Sequence, residues 1–252
     1  MASTKINKKQ IQDDLYGRPY HHLVGFDKFR TNDFYYSGLE YYGYSNFILD
    51  LINKIKWQSI ADVGCGDGKI CLELNKTFPK STIHGYDLNK QAIAFAKAFG
   101  HSKDNLKFFD KDFMEANQKY DLILLIEVIE HIPLKNMKKF MAVIEDKLND
   151  NGRLIISVPS GNVPVIPKHH RHYDLYDIHC DISPHFKVKK FWLVHDFKSI
   201  RYKFLRTLLS NRYFVLNYRP LLDWIAKYYK RNLLHSNIDE GGHWIVIAKK
   251  NG

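Results

Sequence analysis

The run Asp62-Val63-Gly64-Cys65-Gly66-Asp67-Gly68 constrains this chain more than any other feature. It lies directly after an apolar segment that reads as a strand, Ser59–Val63, and directly before one that reads as a helix, Ile70–Phe78. Glycines spaced G-x-G-x-G let a backbone turn tightly and approach a ligand closely, while the helix that follows presents free N–H groups at its start. The dinucleotide fingerprint G-x-G-x-x-G is excluded, because its third glycine would fall on Lys69. A phosphate loop is excluded too, since no Gly-Lys-Ser/Thr follows.

Short apolar runs alternate with helical ones from this turn onward. Thr82–Tyr86, Leu106–Phe109, Tyr120–Ile126 and Arg153–Val158 read as strands, and Lys90–Phe99 and Leu134–Leu148 as helices, the latter followed by the turn Asn149-Asp150-Asn151-Gly152. Tyr120–Ile126 is apolar on both faces, as a central parallel strand should be. The alternation predicts an α/β chain with a doubly wound, mostly parallel sheet. Asn46–Lys56 reads as a short helix ahead of it, and 159–185 as a loop-rich stretch with four prolines and five histidines. Phe186–Val194 and His243–Ala248 complete seven strands, with helical patterns near 198–210 and 220–234 between them. The expected division is an N-terminal extension or lid over 1–45, rich in tyrosine at Tyr35, Tyr36, Tyr41, Tyr42 and Tyr44. A main domain follows over 46–195 and 241–252, with an inserted helical unit over 196–240.

Two acids stand in register with the glycine turn. Asp87 ends the second strand, 25 residues after Asp62, where a carboxylate of a doubly wound fold can take two ribose hydroxyls. Asp112-Phe113 follows the third strand, where an acid beside an aromatic suits an adenine. With these residues the chain, over roughly 47–160, resembles the class I S-adenosylmethionine-dependent methyltransferases, D-V-G-C-G-x-G being the most specific element. The resemblance implies the Rossmann-like methyltransferase fold and S-adenosylmethionine as cofactor. It implies that Gly64, Cys65, Gly66 and Gly68 form the turn beside the methionine part, that Asp87 with Leu88 takes the ribose, and that Asp112 with Phe113 takes the adenine. Asp62 would support the turn and reach the cofactor ammonium through water. Glu127, at the end of the fourth strand, completes the cofactor set.

The fourth strand runs into Glu127-Val128-Ile129-Glu130-His131, at the edge where open α/β sheets place their chemistry. This E-x-x-E-H segment is similar to that of the small-RNA 3′-terminal 2′-O-methyltransferases, in which these side chains and a later histidine hold magnesium or a similar ion. It is also similar to that of the ubiquinone-biosynthesis O-methyltransferases, with which the chain shares Arg171-His172-Tyr173 after the fifth strand. Three readings stay open here. Glu127, Glu130, His131 and His172 hold a divalent cation such as Mg or Mn. Alternatively, His131 or His172 acts as a metal-free general base with Glu127 beside it. In the third, Glu130-His131 merely pins the next helix and 169–172 is a solvated loop.

The chain carries +11 over 252 residues, and 186–235 alone carries +10, with twelve Lys/Arg, two acids and twelve aromatics. Basic and aromatic residues interleaved in this way suit an anionic membrane surface or nucleic acid. They suit equally a core face with a solvated basic back. The first function expected is O-methylation of a small-molecule, glycan or lipid-linked acceptor, with peripheral membrane contact through 196–240; the alternative is a metal-dependent RNA 2′-O-methyltransferase. A non-catalytic scaffold would not need the intact turn, Asp87 and Asp112 together. No apolar stretch reaches the ~20 residues of a transmembrane span, and no signal region opens the chain. Three scattered cysteines make no disulfide framework, so a cytoplasmic protein is expected. Cys65, Cys71 and the four tryptophans, Trp57, Trp192, Trp224 and Trp244, read as packing residues.

Overall fold

The structure is a computed structural model that describes residues 8–23, 38–100, 103–209, 213, 214, 216 and 218–251. Tyr35 and Tyr36 lie outside the described residues, as does Arg212 of the basic window. The strands are β1 (Ser59–Val63), β2 (Thr82–Tyr86), β3 (Leu106–Phe109), β4 (Tyr120–Ile126), β5 (Leu148–Pro159), β6 (Phe186–Asp196) and β7 (Gly241–Lys250). They form one sheet in the order β3-β2-β1-β4-β5-β7-β6. The first five are mutually parallel, and β7 runs antiparallel to both β5 and β6.

Helices α1 (Lys8–Asp14), α2 (Gly38–Ile52), α3 (Lys69–Thr77), α4 (Lys90–Gly100), α5 (Leu134–Lys147), α6 (Leu175–Ile182), α7 (Ile200–Leu209) and α8 (Arg219–Asn232) accompany the sheet. The two-residue period of the strands splits the apolar side chains between two cores. Ile60, Leu122, Leu124, Ile155 and Ile245 join α2, α3, α4, α7 and α8 in one; Ala61, Ile123, Leu125, Ile156 and Val246 join α5 and α6 in the other. No described helix is long and apolar enough to cross a membrane.

The structure adjusts several expected boundaries. The helix expected over Asn46–Lys56 starts at Gly38, because Leu39 and Tyr44 are buried on the same inward face as Ile48, Leu51 and Ile52. It therefore runs across residue 45. The expected turn at Asn149–Gly152 lies inside β5, where the pairing with β4 shifts register between Tyr120 and Leu122. The loop-rich stretch contains α6, started by a reciprocal cap in which Asp174 accepts from Asp177 N and Asp177 accepts from Asp174 N. The two insertion helices appear at Ile200–Leu209 and Arg219–Asn232, close to their expected places. Trp224 is not a core residue: it is 54% exposed.

Candidate active site

The C-terminal ends of β1, β2, β3 and β4 open into one cavity of about 890 Å³, near the upper end of ligand pockets, which run to roughly 1,000 Å³. All three glycines of the turn adopt left-handed backbone, with φ of 75° at Gly64, 55° at Gly66 and 77° at Gly68. Gly64 lines the cavity; a Cβ there would come 2.7 Å from Val128 Cγ2. Gly68 serves packing, since a Cβ would meet the Phe108 ring at 2.7 Å and Ala96 at 2.8 Å. Asp87 is the staple of the turn: its Oδ2 accepts from Gly66 N (2.9 Å) and its Oδ1 from Asn89 N (2.8 Å).

Asp87, Leu88, Asp112, Phe113 and Glu127 line the same cavity as Gly64. Asp112 caps the turn after β3 by accepting from Met114 N (2.9 Å). Asp62, Cys65, Gly66 and Gly68 stand behind the cavity wall. Asp62 is buried and accepts from the Cys71 thiol (3.3 Å), so Cys71 does more than pack. Burial, with Asp87 adding to it, raises the Asp62 carboxyl to about 7.

The N-terminal segment closes over this turn, through residues the sequence reading did not single out. Asp67, fully buried, accepts from His21 N (3.0 Å) and meets His21 Nδ1 (3.0 Å), while His22 Nε2 lies 2.9 Å from Asp67 O. Burial alone would raise Asp67; the His21 bonds and the charges of both histidines outweigh it and hold the carboxyl below its ordinary range. Tyr16 and His21 stand directly over Gly66. Asn89 donates to Asp13 (2.7 Å), and Lys8 donates to the carbonyl of His169.

Beyond Glu127 the acids and histidines sort into two groups. In the first, ligand atoms of Glu130, His131 and His169 lie within 4.8 Å of one another. Glu130 is fully buried, and neither of its carboxylate oxygens has a hydrogen-bond partner. Burial, reinforced by Glu127, pushes its carboxyl well above the ordinary value. His131 Nδ1 faces Lys168 O (3.3 Å), which leaves Nε2 with its lone pair, 3.8 Å from Glu130 Oε1. His172 Nδ1 faces Val163 O (2.7 Å), and His172 Nε2 meets His169 Nδ1 (2.8 Å), which leaves His169 Nε2 free to ligate. Burial first, and Lys168 with it, lowers His131 to about 4; burial and the neighbouring His131 lower His169 to about 3. Both rings are neutral at pH 7. His169 thus stands in this cluster where His172 was expected, and His172 orients it.

The second group contains Glu127. Its Oε1 accepts from Ser157 (2.6 Å), and its Oε2 lies 3.3 Å from His243 Nε2. His243 Nδ1 is 3.2 Å from Glu40 Oε1, a charge contact that misses hydrogen-bond alignment, and Glu40 Oε2 is 3.5 Å from His195 Nε2. His195 Nδ1 reaches Tyr229 Oη at 2.7 Å. Burial alone would raise Glu127, yet the charge and hydrogen bond of His243, with Ser157, bring it to about 2. Burial would lower His243, yet Glu127 and then Glu40 raise it to about 9. Neither Glu40 nor His243 carries a motif, because they lie some 200 residues apart and meet only through the sheet.

A family model described as a methyltransferase domain matches residues 40–210. The chain belongs to this methyltransferase family. Its seven-stranded sheet and flanking helices are those of the class I S-adenosylmethionine-dependent enzymes, the Rossmann-like methyltransferase fold. The methyltransferase is 33% identical over 107 residues to the ubiquinone biosynthesis O-methyltransferase of Rickettsia canadensis, covering 42% of this chain and 44% of that one. It is 26% identical over 137 residues to the small RNA 2′-O-methyltransferase of Mus musculus, covering 48% and 34%. It spans under half the length of the curated relatives it matches. The magnesium protoporphyrin IX methyltransferase of Synechocystis, crystallised with bound S-adenosylmethionine, shares the fold with a TM-score of 0.60 at 12% identity, covering 99% of this chain and all of that one.

Proposed function

We propose that the methyltransferase transfers the methyl group of S-adenosylmethionine to a hydroxyl of a small, glycan or lipid-linked acceptor, assisted by a divalent cation at Glu130, His131 and His169. One observation carries this reading: the buried carboxyl of Glu130 has no hydrogen-bond partner, and ligand atoms of His131 and His169 lie within 4.8 Å of it. A bare buried carboxylate costs several kcal/mol, roughly, and a cation removes that cost. Two imidazoles and one carboxylate suit Mn²⁺ better than Mg²⁺, which prefers oxygen throughout.

The cofactor supplies an already activated methyl group, so the chain's own work is alignment and proton control. Asp87 and Asp112, which line the cavity after β2 and β3, suit the ribose and adenine. A cation at the Glu130 cluster would lower the pKa of an acceptor hydroxyl. His172 and the Lys168 carbonyl fix the tautomers of His169 and His131, and Glu127 adds a negative wall beside them.

The acceptor is argued from the surroundings. α2 contributes Glu40, Tyr41 and Tyr44 to the cavity, and the N-terminal segment contributes Lys8, Tyr16 and His21, so the site is walled as a small or end-on acceptor requires. On α7 the outward face carries Ile200 and Phe204, 81% and 67% exposed, with Arg201 and Lys203 between them in the chain. On α8 Trp224 stacks on Tyr228 (5.4 Å) beside Lys227 and Arg231. Apolar centres with basic flanks are what an anionic membrane interface selects, and they support an acceptor collected there.

RNA is the second reading, favoured by the same basic surface and by Glu127-x-x-Glu130-His131. Methyl label should enter a lipid-plus-glycan extract rather than total small RNA, with Mn²⁺ raising the yield and chelator removing it. Label in RNA alone would overturn the acceptor class. Label indifferent to chelator and to Glu130→Ala would overturn the cation.

A further inference from the structure

The chain Ser157–Glu127–His243–Glu40–His195–Tyr229 is longer than a cation site or a cofactor cradle needs. It draws members from β5, the end of β4, β7, α2, β6 and α8. Among the described residues two non-glycine residues adopt left-handed backbone, and both belong to it: Glu127 with φ 56° and His195 with φ 70°. Such conformations cost about 1–3 kcal/mol each and persist where surrounding contacts over-determine them. His243 is stacked beneath Tyr44, with ring centroids 5.1 Å apart and planes at 25°, and is 7% exposed.

One proton arrangement satisfies every link. Tyr229 donates its hydroxyl to His195 Nδ1, which leaves His195 Nε2–H directed at Glu40. His243, protonated on both nitrogens, then faces Glu40 and Glu127, and Ser157 donates to the second oxygen of Glu127. His195 is neutral in this arrangement, in keeping with burial lowering it. Glu127 is thus held as a fixed, ionised carboxylate on the cavity wall.

Strand order says what that carboxylate faces. Along the sheet edge Asp112, Asp87, Gly64 and Glu127 stand at the ends of β3, β2, β1 and β4, which are successive neighbours. A cofactor laid across these ends with adenine at Asp112 and ribose at Asp87 brings its sulfonium, the next group along, toward β1 and β4. We propose that Glu40 and His243 are positioning residues of the methyl-donor site: through this buried chain they hold the Glu127 carboxylate against the cofactor's sulfonium. The inference rests on the S-adenosylmethionine reading and adds residues that no motif of the chain marks.

S-adenosylmethionine carries the sulfonium charge and S-adenosylhomocysteine does not, so calorimetric titration of both isolates the contact without any acceptor. His243→Ala and Glu40→Gln should weaken S-adenosylmethionine about tenfold while changing S-adenosylhomocysteine by less than about twofold, as loss of a charge contact requires. Retained binding of the demethylated product also reports that each variant is folded. Glu127→Gln should reproduce the loss, and adding His243→Ala to it should cost nothing more, the signature of two residues acting through one group. Equal weakening of both ligands, or additive losses in the double variant, would overturn the proposal. Wild-type protein that binds neither ligand would overturn the cofactor reading beneath it, a result the variants cannot mimic.

Discussion

His243 stands 3.3 Å from Glu127, joining the last strand to the end of the fourth across β5. Burial opposes the charged form of each residue, and each is charged because the other is. The pair is therefore worth most where both conditions hold. Glu127, depressed to about 2, contributes stability above its ordinary range that is lost as pH falls toward 2. His243, raised to about 9, contributes stability below its ordinary 6.5 that is lost as pH rises through 9. Urea midpoints of wild type and His243→Ala should differ most near pH 5–6 and converge by pH 9.5. A gap independent of pH would show that packing, not charge, is what His243 supplies.

Glu130 gives the opposite expectation. Its buried carboxyl has no hydrogen-bond partner, so Glu130→Met, which puts no polar atom there, should raise the stability of the metal-free fold by about 1–3 kcal/mol, the cost of an unsatisfied buried group. The same change should abolish the rise in Tm that Mn²⁺ produces in wild type. A Glu130→Met protein less stable than metal-free wild type would mean the carboxyl has a structural partner after all.

Asp67 is the acid on which both His21 and His22 of the N-terminal segment meet. His21→Ala removes the ring contact to Asp67 and keeps the bond from the backbone N–H of residue 21 to Asp67. Hydrogen exchange at the amides of 8–23 should quicken about tenfold, equivalent to ~1.4 kcal/mol, with sheet amides unchanged. Unchanged exchange at 8–23 would show that α1 and the Asp13–Asn89 bond suffice to hold it.

Gly43 sets how closely α2 meets α8. A Cβ there would stand 2.9 Å from Tyr229 Cζ and Oη, and that ring is fully buried and bonded to His195. Alanine gains about 1 kcal/mol in helix propensity, but overpacking a fixed ring costs about 1–3 kcal/mol. Gly43→Ala should therefore lower the urea midpoint and, by moving Tyr229, loosen His195. A stabilised variant would show that α8 slides freely on α2.

How much was legible follows from range. The glycine turn, the strand ends at Asp87 and Asp112 and the E-x-x-E-H segment are local patterns, and the sheet places Gly64, Asp87, Asp112 and Glu127 around one cavity as those patterns suggest. The two-residue and 3.6-residue periods fixed β1 and β2 to the residue and the insertion helices nearly so. Glu40, His195 and His243 were invisible because nothing local distinguishes an acid or histidine that joins a buried chain from any other acid or histidine on a helix or strand. His172 drew notice by lying in Arg171-His172-Tyr173, whereas the turn closed by His169 N on Ile166 O and the bond from His170 N to Glu130 O bring His169 to Glu130. Helix α6 was hidden by the prolines and histidines around it, although Asp174 and Asp177 at capping-box spacing announced its start. The tyrosines of 41–44 fall in the extension expected over 1–45 rather than in a helix because aromatic rings obscure helical periodicity when both faces of a helix are half-buried.

The antiparallel entry of β7 gives the molecule two sides of unequal use. Gly241 and His243 lie at the reactive edge, where Ser160 donates to Gly241 O (2.5 Å), whereas Lys250 pairs with Phe186 at the far edge. A fluorophore, affinity handle or surface tether attached after Lys250 hangs from that far edge, a strand length away from the reacting groups. One attached just ahead of Lys8 hangs at the rim of the cavity, beside His169. For immobilised or single-molecule work, an attachment after Lys250 is the one that stays clear of the cavity.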